Sequence, residues 1–159
     1  MSKLLAIYLN DHLTGATIGL ELVRRSAGSN RGSLFEPELR ELGGEFAEDR
    51  RTLAELMGRL QVGTDRMKVA LGWCAEKLGR VKPNGRLLSY SPLSRLEELE
   101  ALSLGVTGKL LLWRALEQAL GADPRLAGID LGVMQGRARG QLERIERLRQ
   151  MAARQALAT

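Results

Sequence analysis

The chain has few of the side chains that carry most protein chemistry. Its 159 residues include one cysteine, one histidine and only 4% aromatic residues. The single cysteine, Cys74, excludes an internal disulfide and a cysteine-rich metal site, and it indicates a buried thiol in a reducing compartment. The single histidine, His12, excludes a centre that needs two imidazoles from one chain. The scarcity of aromatic rings argues against a stacking surface for single-stranded nucleic acid.

Long hydrophobic runs are also absent. The longest, such as Leu110–Trp113, are far shorter than the roughly 20 residues that cross a bilayer. The apolar stretch Leu4–Leu9 leads directly into Asn10 and lacks the apolar core and small-residue cleavage site of a signal peptide. We therefore expect a cytoplasmic protein with no membrane partner. A content of 44% hydrophobic and 27% charged residues is typical of a folded protein, so we expect residues 1–159 to form one domain.

The charge of the chain is positive, with a formal net value of +5. Clustered arginine and lysine would favour nucleic acid, because they release counterions from phosphates. From Asp130 onward, however, the chain has six arginines and three acidic residues, and in the remainder of the chain the positive and negative charges nearly cancel. This modest local excess argues against a nucleic-acid partner.

Hydrophobic spacing predicts five helices and no sheet. Apolar residues recur three and four positions apart, as on one face of a helix, and no segment alternates with a period of two. The predicted helices are Lys3–Arg25, Pro37 to about Leu60, Met67–Val81, Pro92 to about Leu120, and Asp130 to near the C-terminus. Short loops join them. We therefore predict an all-α fold, an antiparallel up-down bundle of four long helices plus a fifth C-terminal helix.

Two features of these helices concern packing. The first helix carries a second apolar face, formed by Leu4, Tyr8, Ile18 and Leu22. A second subunit would cover such a face, so we expect a homo-oligomer and favour a dimer. Gly105 and Gly108 lie inside the fourth predicted helix, where glycine is unfavourable. Close approach of another helix would explain them.

The order and lengths of the first four helices resemble the ferritin-like architecture. That resemblance implies a four-helix body and, in its di-iron members, inward carboxylates with two Glu-x-x-His pairs. Here Glu45 is followed three residues later by Glu48 and Glu117 by Leu120, and no Glu-x-x-His occurs. The sequence therefore lacks the Glu-x-x-His pairs that would bind the two iron ions. We therefore expect no metal and no other cofactor.

Four ionisable residues interrupt the apolar seams of three predicted helices. They are His12, Asp49, Lys109 and Glu117. Because a buried charge must be paired or change its protonation, such residues mark a fixed polar network or a functional site when they converge. The other interpretation is that long side chains at the seam edges reach solvent. No nucleophile motif accompanies them, so we assign no catalytic residue.

A second candidate site precedes the fourth predicted helix. Its residues are Lys82, Arg86, Tyr90, Ser91, Ser94 and Arg95. A helix N-terminus with free backbone N–H groups and nearby arginines suits an anion. Ordinary capping by Ser91 is the alternative.

The sequence favours a non-catalytic structural or protein-interaction module that self-associates. The alternative is a binder of a small anion or other small ligand, or an enzyme, that uses the bundle interior or the loop before the fourth predicted helix. A pocket where the seam residues meet would favour that alternative.

Overall fold

The computed structural model describes residues 2–64 and 90–158, and every element within these ranges is helical. The elements are α1 (Lys3–Ser29), α2 (Glu36–Arg59), α3 (Pro92–Leu120), a short 3-10 helix (Pro124–Leu126) and α4 (Leu131–Leu157). The described part contains no strand, as predicted. Helices α3 and α4 correspond to the fourth and fifth predicted helices. The third predicted helix, with Cys74, lies outside the described residues. The antiparallel up-down arrangement of five helices therefore stays a prediction.

Side-chain caps define where α3 and α4 begin. The Ser91 hydroxyl accepts a hydrogen bond from the backbone N–H of Ser94, at 3.1 Å. An Asp130 carboxylate oxygen accepts from the N–H of Val133, at 3.0 Å. Serine and aspartate are both favoured at this position, and each cap satisfies a backbone donor that has no partner within the helix.

The other helix ends differ by a few residues from the prediction. Helix α1 passes Gly28 and closes at Asn30, whose backbone N–H donates to Ser26. Helix α2 follows Phe35, and no side chain caps it. The Ser33 hydroxyl lies too early to cap α2 and accepts from the backbone N–H of Phe35.

Two groups of buried side chains form the core. The first draws on all four helices and includes Val23, Leu39, Leu99 and Ile145. The second lies where α1 begins and α2 and α3 end, and it includes Leu9, Leu56 and Trp113. All four helices contribute to both groups, α4 to the second through Leu131.

Long charged side chains join α4 to α2. Arg144 pairs with Glu38 and Glu45, and Arg137 pairs with Glu48 at 3.1 Å. In the structure, these two arginines meet the acidic residues of α2.

Candidate functional site: a cavity between three helices

A cavity of about 240 Å³ lies between α1, α2 and α3. Most of its wall is apolar, with side chains that include Phe46, Leu53, Leu102, Leu112 and Trp113. An engineered cavity of about 150 Å³ is large enough to bind benzene in a protein interior. The space here therefore suits a molecule somewhat larger than one aromatic ring.

Four glycines line this cavity, Gly15 and Gly19 on α1 and Gly105 and Gly108 on α3. A Cβ atom built on Gly15, Gly105 or Gly108 meets no described atom within 4 Å. One built on Gly19 is 3.9 Å from the Phe46 ring, an ordinary contact. Among the described residues, no helix therefore packs closely against Gly105 or Gly108. Their missing side chains leave open space.

Asp49 and Lys109 form a buried ion pair in the wall of the cavity. Asp49 is 4% exposed, and its Oδ2 accepts from the Lys109 Nζ at 2.6 Å. Lys109 also donates to Gln141 Oε1 at 2.5 Å and lies 4.3 Å from the centre of the Phe46 ring. Burial lowers the pKa of Lys109, and the negative charge of Asp49 opposes this shift. The ammonium group is thus fully engaged by the protein.

The ion pair belongs to a network that crosses to α4. Gln141 is fully buried and donates from Nε2 to Asp49 at 3.0 Å and to Glu45 at 2.9 Å. The Arg137 Nη1 donates to Asp49 Oδ1 at 3.2 Å. Asp49 therefore has three donors from two helices. This satisfies its buried carboxylate and fixes the wall of the cavity.

His12 lines the cavity but makes no hydrogen bond with the described residues. Its ring is half-buried and meets the Tyr8 ring edge to face, with 4.6 Å between centroids. Burial lowers the pKa of His12 below its ordinary value, and neighbouring Asp11 acts weakly against this shift. The imidazole is therefore neutral at pH 7 and offers one donor and one acceptor.

Two further lining residues carry unused donors. Trp113 is 1% exposed, and its indole Nε1 has no hydrogen-bond partner. Arg50 donates from Nε to the Thr17 hydroxyl at 2.9 Å, and it forms no ion pair with any residue in the described ranges. Neither residue could be selected from the sequence. The ring of Trp113 suits an apolar seam without any role for its N–H, and Arg50 lies beside the seam of its helix.

Glu117 does not join the other three seam residues. It is exposed and lies outside the cavity lining, and its Oε2 accepts from Gln135 on α4 at 2.8 Å. Glu117 lies eight residues beyond Lys109, about two helical turns, so it faces the first turns of α4 instead. The predicted cluster therefore reduces to His12, Asp49 and Lys109.

The second candidate site is partly described. Lys82 and Arg86 lie outside the described residues. Arg95 donates to Asn30 at 2.5 Å and to Gln155 at 2.7 Å, with its guanidinium 4.4 Å from the Phe35 ring centre.

Hydroxyl groups near Arg95 are also engaged. The Tyr90 hydroxyl donates to Glu98 at 3.0 Å, and Ser91 and Ser94 lie within hydrogen-bond distance of each other. In the structure these groups tie helix ends together, and the anion site stays a prediction.

Neither a metal cluster nor a membrane-spanning helix occurs in the described ranges. No three or more His, Cys, Asp or Glu side chains there are placed to hold a metal ion. None of the described helices combines the length and apolar character needed to cross a bilayer.

No family model, curated protein or solved structure matches this chain. The resemblance to the ferritin-like architecture therefore stays a prediction, and the geometry of the cavity carries the argument about function.

Proposed function

We propose that this protein binds a small, largely apolar molecule in the cavity between α1, α2 and α3. The observation that carries the proposal is the buried indole N–H of Trp113, which has no partner and belongs to a residue that lines the cavity. A buried donor left without a partner costs about 1–3 kcal/mol. A bound ligand with an acceptor atom would remove that cost.

The wall of the cavity defines the chemistry of this ligand. Its apolar side chains favour a hydrocarbon or aromatic body. To bond with the Trp113 indole N–H, the ligand needs a hydrogen-bond acceptor such as a carbonyl oxygen, since an indole only donates. The neutral His12 ring provides a second polar contact at the same cavity. The ligand class is thus a compact aromatic or aliphatic molecule with at least one acceptor.

Binding fits this site better than catalysis. The Lys109 ammonium and the Asp49 carboxylate satisfy each other, so neither is available to transfer a proton. No described hydrogen bond orients the ring of His12, as a general base requires. The glycines further support binding, because they keep the cavity open at a cost of roughly 1 kcal/mol each in a helix interior.

A matched pair of probes tests the proposal. Acetophenone and ethylbenzene have nearly the same shape, and only acetophenone carries a carbonyl acceptor. In a Trp73→Phe variant, Trp113 is the sole tryptophan, and its indole N–H gives one cross-peak in a proton–nitrogen NMR spectrum. We expect acetophenone to move this peak and to bind about five-fold more tightly than ethylbenzene, the effect of one net hydrogen bond.

One result would contradict ligand binding, and a second would contradict recognition of the ligand by the Trp113 indole. The Trp113 cross-peak could remain in place as acetophenone approaches its solubility limit. Ethylbenzene could instead bind as tightly as acetophenone, which would show that the indole N–H recognises no acceptor. A Trp113→Phe variant provides the control, because it keeps an aromatic ring and loses the donor.

Self-association is a second proposal, supported by exposed leucines. Leu104 and Leu111 lie seven residues apart on α3 and are 76% and 54% exposed. Residues seven apart share one helix face. We expect a dimer in sedimentation velocity at micromolar concentration, and a Leu104→Glu variant should shift it toward monomer. A wild-type protein that is strictly monomeric would exclude this proposal.

A further inference from the structure

We infer that the ligand of the cavity carries a carboxylate group and that Arg50 binds it. This inference rests on the proposed function and adds the charge class of the ligand. It starts from the one cavity-lining cation that the described part of the chain leaves without a carboxylate.

Arg50 uses few of its donors within the protein. A guanidinium has five N–H groups, and the Nε of Arg50 donates to the Thr17 hydroxyl at 2.9 Å. That hydroxyl donates in turn to the Leu13 carbonyl at 2.9 Å, so it is oriented to accept from Arg50. The tether holds the guanidinium by one edge. The four N–H groups of the two terminal nitrogens have no hydrogen-bond partner among the described residues.

The two carboxylates close to Arg50 in sequence are engaged by other cations. Asp49, its neighbour in sequence, pairs with Lys109 at 2.6 Å and with Arg137 at 3.2 Å. Glu48 also pairs with Arg137. Asp11, the remaining carboxylate of the cavity lining, is exposed and has an interaction of its own. The positive charge of Arg50 is therefore not neutralised by a short-range ion pair.

The guanidinium favours a carboxylate over other anions. Its planar, parallel N–H groups match the two oxygens of a carboxylate, with which arginine forms bidentate pairs. A phosphate site normally gathers several donors, including the backbone N–H groups of a helix N-terminus. Arg50 lies in the interior of α2, far from such an end. An apolar body in the cavity and a carboxylate at Arg50 together describe a small aryl or alkyl carboxylic acid.

Benzoate and benzamide test this inference, because they are nearly isosteric and only benzoate is charged. We expect wild-type protein to bind benzoate about ten-fold or more tightly than benzamide, the effect of charged hydrogen bonds. Arg50→Gln should abolish the difference and leave benzamide binding intact, which also reports that the cavity is folded. Arg50→Lys keeps the positive charge but loses the planar pair of N–H groups, so this variant should retain only part of the preference for benzoate over benzamide.

Arg51→Gln is the matched control. Arg51 is the next residue, is exposed and does not line the cavity, so the preference for benzoate should persist in this variant. Equal binding of benzoate and benzamide by wild-type protein would overturn the inference, as would an unchanged preference in Arg50→Gln.

The two proposals fail in different ways. Acetophenone that moves the Trp113 signal, without any preference for benzoate, refutes the carboxylate and leaves ligand binding in place. Absence of a response to all of these probes refutes both.

Discussion

Replacement of Lys109 by methionine should destabilise the protein by about 3 kcal/mol. The substitution preserves the length of the side chain and removes the charge that faces Asp49, whose carboxylate is 4% exposed. Loss of one partner from a buried ion pair typically costs 3–5 kcal/mol, because the other charge remains uncompensated. Asp49 would keep hydrogen bonds from Arg137 at 3.2 Å and Gln141 at 3.0 Å. These remaining donors place the expected loss at the lower end of that range.

Urea unfolding followed by far-ultraviolet circular dichroism measures this loss, and a double variant tests its cause. If the cost comes from a stranded charge at Asp49, Asp49→Asn with Lys109→Met should be less destabilised than the sum of the two single variants. Glu55→Gln is the control, since it removes an exposed ion pair with Arg59 at 2.7 Å and should cost less than about 0.5 kcal/mol. A loss below about 1 kcal/mol for Lys109→Met, or strict additivity in the double variant, would refute the reasoning.

Three further outcomes are expected. Gly105→Ala and Gly136→Ala should each raise the free energy of unfolding by about 0.5–1 kcal/mol, because neither added Cβ meets a described atom within 4 Å. Only Gly105→Ala, at the cavity, should weaken acetophenone binding, and an equal effect of both on binding would contradict the assigned site. The pKa of His12, measured by NMR of the single imidazole, should lie below 6.5. The free energy of unfolding should then decrease as the pH falls through that pKa, because the unfolded chain binds the proton more readily. A His12 pKa at or above 6.5 would contradict both expectations. Trp113→Phe should bind acetophenone no more tightly than ethylbenzene, and a retained preference would assign the acceptor to another donor.

Local sequence patterns predicted the four long helices of the described ranges well. Apolar spacing defines a helix face, and a capping serine or aspartate acts within three residues, so both signals are local. The capping roles of Ser91 and Asp130 illustrate this. The interruption of a seam at Asp49 also indicated a buried charge. Its partner Lys109 could be proposed because it interrupts another seam.

Interactions between distant segments were harder to predict. Asn10 has a polar side chain, yet it is buried, and its amide donates to the carbonyls of Ala6 and Gly63. Gln141 was outside the predicted seam and is fully buried between Lys109 and Asp49. Buried amides of this kind depend on which carbonyl or carboxylate a different part of the chain brings near. Periodicity along one helix contains no such information.

The cavity itself was ambiguous in the sequence. Glycines within helices accompany both close helix contacts and open spaces, and the distance between helix axes decides which one occurs. For Gly105 and Gly108, that distance leaves space. The sequence pattern alone could not decide between the two, and the described residues provide no close contact at either glycine.

The glycine lining also restricts how this binding site can change. Because Gly15, Gly19, Gly105 and Gly108 have no side chain to lose, every substitution at these positions can only make the cavity smaller. Room for a larger ligand would have to come from shortening a residue such as Leu53 or Leu102, at a cost of several kcal/mol in core packing. Variation at the glycines would thus narrow the range of ligands while often stabilising the fold, and selection for a bulkier ligand would act on the leucines.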